Sequence, residues 1–313
     1  MRYVVTGGCG FVGSHLVDLL LSKGKEVVII DKITNKRSVE SLTRNKHIHH
    51  LYMDLSNPEL MEKALSKNDT IIHLAAQSHV DVSFKKPHKT IIGNVLGTHN
   101  VMQSSLKNNA KKVLIMSTDE VYGPCDSIID FNLLNPTNPY SSSKAAADMI
   151  VNAFKHMYPD FHINTLRSNN IAGPRQFIRN IIPRFSCLAL LGEKMTVHGD
   201  GSSQRRYLWV KDAAKALIEI SLNGKLGEIY HTSHPKKYSN LDIAKKISSY
   251  LGTKDGFELI EDRVFNDATY PFHKDDNIEK DLGWKPTKDL DDFLPETIEF
   301  YRENLDFYKK FLT

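Results

Sequence analysis

Apolar residues come along this chain in two alternating rhythms, short unbroken runs and stripes at helical spacing. Arg2-Tyr-Val-Val-Thr6 is a run; Val12, Leu16, Leu19 and Leu20 then share one helix face. The runs recur at 26–31, 49–54, 69–76, 112–118 and 163–167, with helical patterns between them. Strands apolar on both faces and separated by helices predict a doubly wound α/β architecture, a parallel sheet with helices on either side. Beyond Gly173 the elements shorten and polar stretches such as Gly199-Asp-Gly-Ser-Ser-Gln-Arg205-Arg206 appear. That change predicts a domain over 1–170 and a smaller C-terminal α/β region over 171–313, with 207–223 packing back on the first. The closing stretch, Phe293 to Leu312, has the pattern of an amphipathic, aromatic-rich helix, suited to core or dimer packing.

The first strand runs straight into Thr6-Gly7-Gly8-Cys9-Gly10-Phe11-Val12-Gly13 and then into a helix. Glycine lets a backbone turn tightly and lets a phosphate approach with no Cβ in the way. The helix N-terminus adds free N–H groups and a partial positive charge. Asp31 ends the second apolar run, at the distance where a carboxylate meets the ribose hydroxyls of a dinucleotide. The combination predicts a Rossmann-type dinucleotide site. A carboxylate there favours NAD over NADP, although Lys32, Lys36 and Arg37 could tolerate a 2′-phosphate. Ligands of such sheets gather beyond the strand C-termini. Gly7, Gly10, Phe11, Val12, Gly13, Asp31, Lys32, Asp54, Leu55, Ala75, Ala76 and Ser117 are therefore the candidate cofactor contacts.

Composition narrows the field. The 313 residues carry 41% hydrophobic and 25% charged positions, as soluble globular proteins do. A formal charge of +4 with scattered basic residues argues against nucleic acid as the partner. No apolar run approaches membrane-spanning length, and the first strand begins almost at Met1, which leaves no room for a leader. Cys9, Cys125 and Cys187 are isolated thiols without metal spacing, so a reducing, cytoplasmic setting is expected. His47, His49 and His50 cluster, but strand alternation divides them between faces, and no metal is expected.

Two constellations carry chemistry. Tyr140 and Lys144 lie four apart at the start of a helix and share a face. A nearby ammonium would lower the phenol from its ordinary value near 10 toward a usable base. Thr118-Asp119-Glu120-Val121-Tyr122-Gly123 follows the strand that ends at Ser117. Adjacent carboxylates on a strand point to opposite faces, so they serve one substrate only if the chain bends, and Gly123-Pro124 offers the bend.

The spacing of the glycines and the Tyr-x-x-x-Lys pair resemble the extended short-chain dehydrogenase/reductase superfamily. Within it, Ser117 to Gly123, Ala75 to Asp81, Asn94 to Thr98, Arg167 to Asn170, Pro174 to Gln176, Gly199 to Gly201, Asn266-Asp267 and Leu282 to Pro286 resemble the nucleoside-diphosphate-glucose 4,6-dehydratases. The likeness covers essentially the whole chain. It implies NAD as cofactor, UDP- or dTDP-glucose as substrate, a nucleotide-sugar site in the C-terminal region and a homodimer built on the helices near 94–107 and 140–156. It further implies Thr118, Asp119, Glu120, Tyr140 and Lys144 as catalytic residues, with Asn94, Tyr140 and Lys144 also at the cofactor. Tyr140 would take the carbon 4 hydroxyl proton, Glu120 the carbon 5 proton, and Asp119 would protonate the departing carbon 6 hydroxyl. Ser78, His79, Asn170, Arg205 and Asn266 would hold the substrate. Two departures stand out: Phe177-Ile-Arg179-Asn180 occupies the place of a usual Pro-Glu-Lys, and Ala172 that of a tyrosine. A sugar-nucleotide 4-epimerase, which needs no carboxylate pair, and a catalytically silent NAD- and nucleotide-binding homologue are the competing readings.

Overall fold

The computed structural model describes residues 1–32, 48–125, 133–253, 256–262 and 277–312. The first half alternates as the sequence predicts: β1 (Arg2–Thr6), α1 (Phe11–Ser22), β2 (Glu26–Asp31), β3 (Ile48–Tyr52), α2 (Pro58–Ala64) and β4 (Thr70–His73). Two short helices, α3 (Val80–Lys85) and α4 (Pro87–Ile91), lead through a π-helical turn (Ile92–Leu96) into α5 (Gly97–Lys107). Next come β5 (Lys112–Thr118), a 3₁₀ turn (Asp119–Tyr122), α6 (Pro139–Met157) and β6 (Ile163–Ser168). The remainder is β7 (Asn170–Ala172), α7 (Ile181–Leu190), β8 (Met195–His198), β9 (Gln204–Trp209), α8 (Val210–Asn223), β10 (Ile229–Thr232), β11 (Lys237–Ser239), α9 (Asn240–Leu251) and β12 (Phe257–Ile260). The chain closes with α10 (Asn277–Leu282), α11 (Leu290–Glu303), α12 (Leu305–Tyr308) and a 3₁₀ turn (Lys309–Phe311).

Seven parallel strands form the central sheet, in the order β10-β6-β5-β4-β1-β2-β3. Its edge strand, β10, comes from far down the chain. Alternate residues of the buried strands go to opposite faces. Tyr3, Val5, Ile29, Leu114 and Leu166 pack with Leu16 and Leu20 of α1 and Leu217 and Ile220 of α8. Val4, Ile30, Ile71, Val113 and Ile163 pack on the other face with Met61 of α2, Val101 of α5, and Val151 and Phe154 of α6. A separate cluster, with Phe185, Trp209, Ile243, Phe293 and Ile298, holds the C-terminal elements together around a three-stranded sheet, β11-β9-β7.

The single helix expected over Phe293 to Leu312 is interrupted. An Asp289–Asp292 capping box starts α11 earlier, at Leu290, and Asn304 ends it in a non-helical conformation (φ −116°, ψ 16°). The break brings the Tyr308 ring within 4.9 Å of Tyr301, edge to face. Tyr301 donates to the Gln176 carbonyl at 2.6 Å, and Phe311 lies 5.9 Å from Phe177. These aromatics thereby brace the segment around 176–179 from below. Among the described residues, no helix is long and apolar enough to cross a membrane.

Candidate active site

Strand order reverses at β1, which lies between β2 and β4, so a crevice opens above their C-terminal ends. The glycine turn shapes one wall. Gly7 sits at φ +71°, and a Cβ there would come within 2.8 Å of the Ala75 backbone. A Cβ on Gly13 would overlap the Gly7 carbonyl. Gly10 closes the turn, donating to Gly7 O at 3.0 Å and accepting from Ser14 N at 2.9 Å. As N-cap of α1 it supplies no side-chain cap, so the first-turn N–H groups before the half-buried Phe11 and Val12 suit an anion.

Asp31 accepts the Cys9 N–H at 2.9 Å, which pins its carboxylate beside the glycine turn. Lys32 is exposed and paired with Asp54. Asp54 also accepts from Ser56 N and Oγ at 2.9 and 2.8 Å. Leu55 is buried, with its carbonyl bonded to Asn100 at 2.8 Å. Ala75 N–H meets Thr6 Oγ1 at 3.3 Å, and Ala76 is exposed. Asn94 is buried and its amide engages the protein: Nδ2 donates to Gln77 O at 3.0 Å and Ser143 Oγ at 2.8 Å, while Oδ1 accepts from Gln77 N at 2.7 Å. It braces the loop after β4 against α6. His49 is exposed on β3, His50 faces Cys9 (3.7 Å to Sγ), and His47 lies outside the described residues.

The acid pair does not lie on a strand. β5 ends at Thr118 and a single 3₁₀ turn begins at Asp119, so the bend occurs there rather than at Gly123-Pro124. Thr118 Oγ1 caps the turn by accepting the Glu120 N–H at 3.3 Å. Gly123 (φ +70°) serves a different end, the close return of the chain at Asn135. Asp119 is buried, and Asn169 donates to its Oδ2 at 2.5 Å. Burial pushes the Asp119 carboxyl up to about 6, although bonds from Asn169 and Thr118 and the charge of Arg205 pull the other way. Glu120 is half-buried and accepts from Asn138 Nδ2 at 3.4 Å. Asn138 is the N-cap of α6, in a capping box with Ser141 and with Pro139 at the first helical position.

That cap aims Tyr140 and Lys144 at the turn. The Tyr140 phenol is hydrogen-bonded to Thr118 and lies in the field of both carboxylates. Here the geometry departs from the sequence expectation. Burial raises the phenol well above its ordinary range, and the Glu120 charge adds to this. Lys144 does not offset it: burial lowers the ammonium, and its Nζ donates to the Met116 carbonyl at 2.6 Å. Ser117, buried beside them, has a hydroxyl without a hydrogen-bond partner among the described residues.

Of the expected substrate residues, Arg205 acts electrostatically on Asp119, and Asn170 follows Asn169, the residue that bonds Asp119. Ser78 is exposed; His79 is half-buried at the N-cap of α3. The His79 ring lies 5.9 Å from Phe177, over which the Arg179 guanidinium sits at 5.7 Å. The unusual Phe177–Arg179 segment is thus part of the His79 wall. Asn170 opens β7, half-buried, and Arg205 on β9 donates to Gln204 O at 2.8 Å. Asn266 lies outside the described residues. The sequence missed Asn169 and Asn138. The signals were present, an asparagine beside Asn170 and an Asn-Pro step opening a helix, but neither says which carboxylate it will meet.

The GDP-mannose 4,6 dehydratase family matches residues 4–297. The chain is 32% identical over 320 residues to the trifunctional UDP-glucose 4,6-dehydratase/UDP-4-keto-6-deoxy-D-glucose 3,5-epimerase/UDP-4-keto-L-rhamnose-reductase of Arabidopsis thaliana, covering 97% of this chain and 48% of that protein. It therefore spans about half the length of this plant relative. It is 31% identical over 368 residues to the dTDP-D-glucose 4,6-dehydratase of Dictyostelium discoideum, covering 98% of this chain and 83% of the other. The crystal structure of DesIV, a dTDP-glucose 4,6-dehydratase of Streptomyces venezuelae with NAD bound, superposes with a TM-score of 0.93 at 30% identity over 100% of both chains. The parallel sheet with its flanking helices agrees with this likeness. The chain belongs to the GDP-mannose 4,6 dehydratase family.

Proposed function

We propose that the protein binds NAD and converts a nucleotide-activated glucose, UDP- or dTDP-glucose, to its 4-keto-6-deoxy product. The observation that carries this is the turn at Asp119–Glu120, which sets a buried acid that holds its proton to about pH 6 beside a second carboxylate, both facing Tyr140. An epimerase has no use for that pair.

The cofactor crevice fits a dinucleotide. A Cβ at Gly7 or Gly13 would collide with the backbone of Ala75 or Gly7, so the turn keeps its tight path only with glycine there. Asp31 is held beside it by the Cys9 N–H, at the end of β2 where a carboxylate meets ribose hydroxyls. When bound, NAD would supply the hydride acceptor for sugar carbon 4 and the hydride donor for carbon 6. The protein's own groups move the protons. Tyr140, bonded to Thr118, takes the carbon 4 hydroxyl proton. Its raised phenol needs positive charge beside it, which Lys144 supplies on turning from Met116 O toward the crevice. The new ketone acidifies the carbon 5 proton, which Glu120 removes and, once hydride has reached carbon 6, returns to carbon 5. Between these steps Asp119 protonates the carbon 6 hydroxyl, a poor leaving group until it departs as water. Asn170 and Arg205 hold the diphosphate, Arg205 by bidentate contact; Ser78 and His79 also contact the substrate, and Asn266, outside the described residues, is proposed to do so from the sequence alone. Residues 1–170 with 207–223 serve the cofactor, and the rest of 171–313 serves the nucleotide sugar. Three free thiols, two of them buried, suit a reducing cytoplasmic setting.

The protein works as a homodimer through α5 and α6. Ser142, Ala146, Met149, Ala153 and Met157 form an outward stripe on α6, and Leu96 and Gln103 continue it nearby. Incubation with UDP-glucose and dTDP-glucose separately, with the product weighed by mass spectrometry, tests the activity. Loss of one water is expected with NAD needed only catalytically. A product of unchanged mass would make the chain an epimerase; binding without turnover would make it a silent homologue.

A further inference from the structure

Parallel register sets three side chains level across the sheet: Ser117 of β5, Arg167 of β6 and His231 of β10. Registered neighbours share a face, here the one covered by α5 and α6. Two of them converge on Tyr122, the last residue of the turn that carries the acid pair. Arg167 Nη1 donates to the Tyr122 hydroxyl at 2.5 Å, and that hydroxyl lies 2.7 Å from His231 Nε2. A guanidinium only donates, so the phenol oxygen accepts from Arg167 and its own proton is available to the imidazole. The Arg167 guanidinium also covers the Tyr122 ring at 5.0 Å, and the His231 ring stacks on it at 5.9 Å. On its other side Arg167 Nε donates to Asp148 Oδ2 at 2.9 Å, both side chains being 3% exposed. Asp148 lies one turn beyond Lys144 and two beyond Tyr140 on the same face of α6.

A buried ion pair of this kind is a poor source of stability, because apolar residues of equal volume do as well or better. What it supplies is position. Tyr122 is two residues from Glu120 and three from Asp119, and the 3₁₀ turn between them is too short to absorb a shift. Thr118 anchors the turn at one end; the Tyr122 hydroxyl anchors it at the other. We propose that Tyr122 is a positioning residue: its hydroxyl, clamped by Arg167 and His231, tethers the turn bearing Asp119 and Glu120 to the helix bearing Tyr140 and Lys144. The inference rests on the dehydratase reading for its consequence in catalysis, but the tether itself is a property of the protein alone.

Tyr122→Phe removes one oxygen and keeps the ring; His231→Gln keeps an amide opposite the phenol and serves as the conservative variant. Hydrogen exchange on the whole protein, without substrate, reads the tether. Exchange over 117–123 becomes faster in Tyr122→Phe, less so in His231→Gln, while β1 is unchanged in both. Single-turnover absorbance with NAD and the accepted nucleotide-glucose reads the consequence. Oxidation at carbon 4 stays within a few-fold of the unaltered enzyme, elimination slows by about 10- to 100-fold as expected for a displacement of order 1 Å, and reduced nicotinamide accumulates. Unchanged exchange over 117–123 overturns the proposal. So does a parallel fall of oxidation and elimination together with the melting temperature, which marks a purely structural role. If the unaltered enzyme oxidises neither nucleotide-glucose, the dehydratase reading fails, and the exchange data still decide whether Tyr122 is a tether.

Discussion

Asp119 is the residue where the proposed catalysis and the stability of the fold oppose each other. In the folded chain its carboxyl keeps a proton up to about pH 6, against an ordinary value of 3.8, because burial disfavours the charge. The unfolded state gives up that proton first. This contribution to stability is therefore fully present below about pH 4 and is lost as pH rises through about 6, at a cost on the order of 3 kcal/mol. Asp119→Asn is uncharged throughout and still accepts from Asn169. Chemical denaturation should find variant and unaltered protein alike near pH 4, and the variant more stable by a few kcal/mol near pH 7.5. A difference independent of pH would show that the carboxyl is not held neutral. In the proposed reaction the same proton is the one that elimination would use. Elimination measured in single turnover should decline as pH rises through about 6, and Asp119→Asn should slow it by about 10²- to 10⁴-fold while carbon 4 oxidation continues. Glu120→Gln should stall likewise with reduced nicotinamide bound, whereas Tyr140→Phe should produce no reduced-nicotinamide absorbance at all. Normal release of product by Glu120→Gln would remove that residue from the role of base.

At the scale of elements, the N-cap of α6 links folding to the site, since Asn138 closes a capping box and also reaches Glu120. Asn138→Ala should cost about 1 kcal/mol of stability and slow elimination; Asn138→Ser should restore the cap and the melting temperature but not the rate. Equal rescue of both would mean that the contact with Glu120 does nothing. The elements themselves were largely legible in the chain. Strands buried on both faces read as unbroken apolar runs, and Gly7, Gly10 and Gly13 mark the turn that feeds α1, because a Cβ at 7 or 13 has nowhere to go. The acid turn was not legible in shape. Two adjacent carboxylates say nothing about whether the strand has already ended, and the residues that end it act by capping, Thr118 through its own hydroxyl. The tether at Tyr122 was less legible still. Its partners lie 45 and 109 residues away in sequence, on strands whose register no local pattern states. Likewise the aromatics of the C-terminal stretch signal burial, but the break at Asn304 is needed to fold Tyr308 onto Tyr301.

At the scale of the whole molecule, the two faces of one helix carry different side chains. The inner face of α6 carries Tyr140, Lys144 and Asp148 toward the site, all buried. Its outer face leaves Met149 47% and Met157 59% exposed, among small residues that let a second helix approach closely. Leu96, at the end of the π-helical turn, and Ile91 of α4 add 42% and 51% exposed apolar side chains to the same side of the sheet. Four such helices from two copies, related by a two-fold axis, would bury this surface and stiffen the helix that holds the proposed base. Light scattering at micromolar concentration should therefore give twice the 35.5 kDa chain mass. Met149→Asp places a charge at the centre of the stripe without touching the core, so it should yield a folded monomer with an unchanged circular dichroism spectrum. Since the tyrosine helix loses its support, oxidation at carbon 4 should weaken along with dimerisation. A clean monomer for the unaltered protein, or a Met149→Asp variant that remains dimeric, would place the interface elsewhere or remove it.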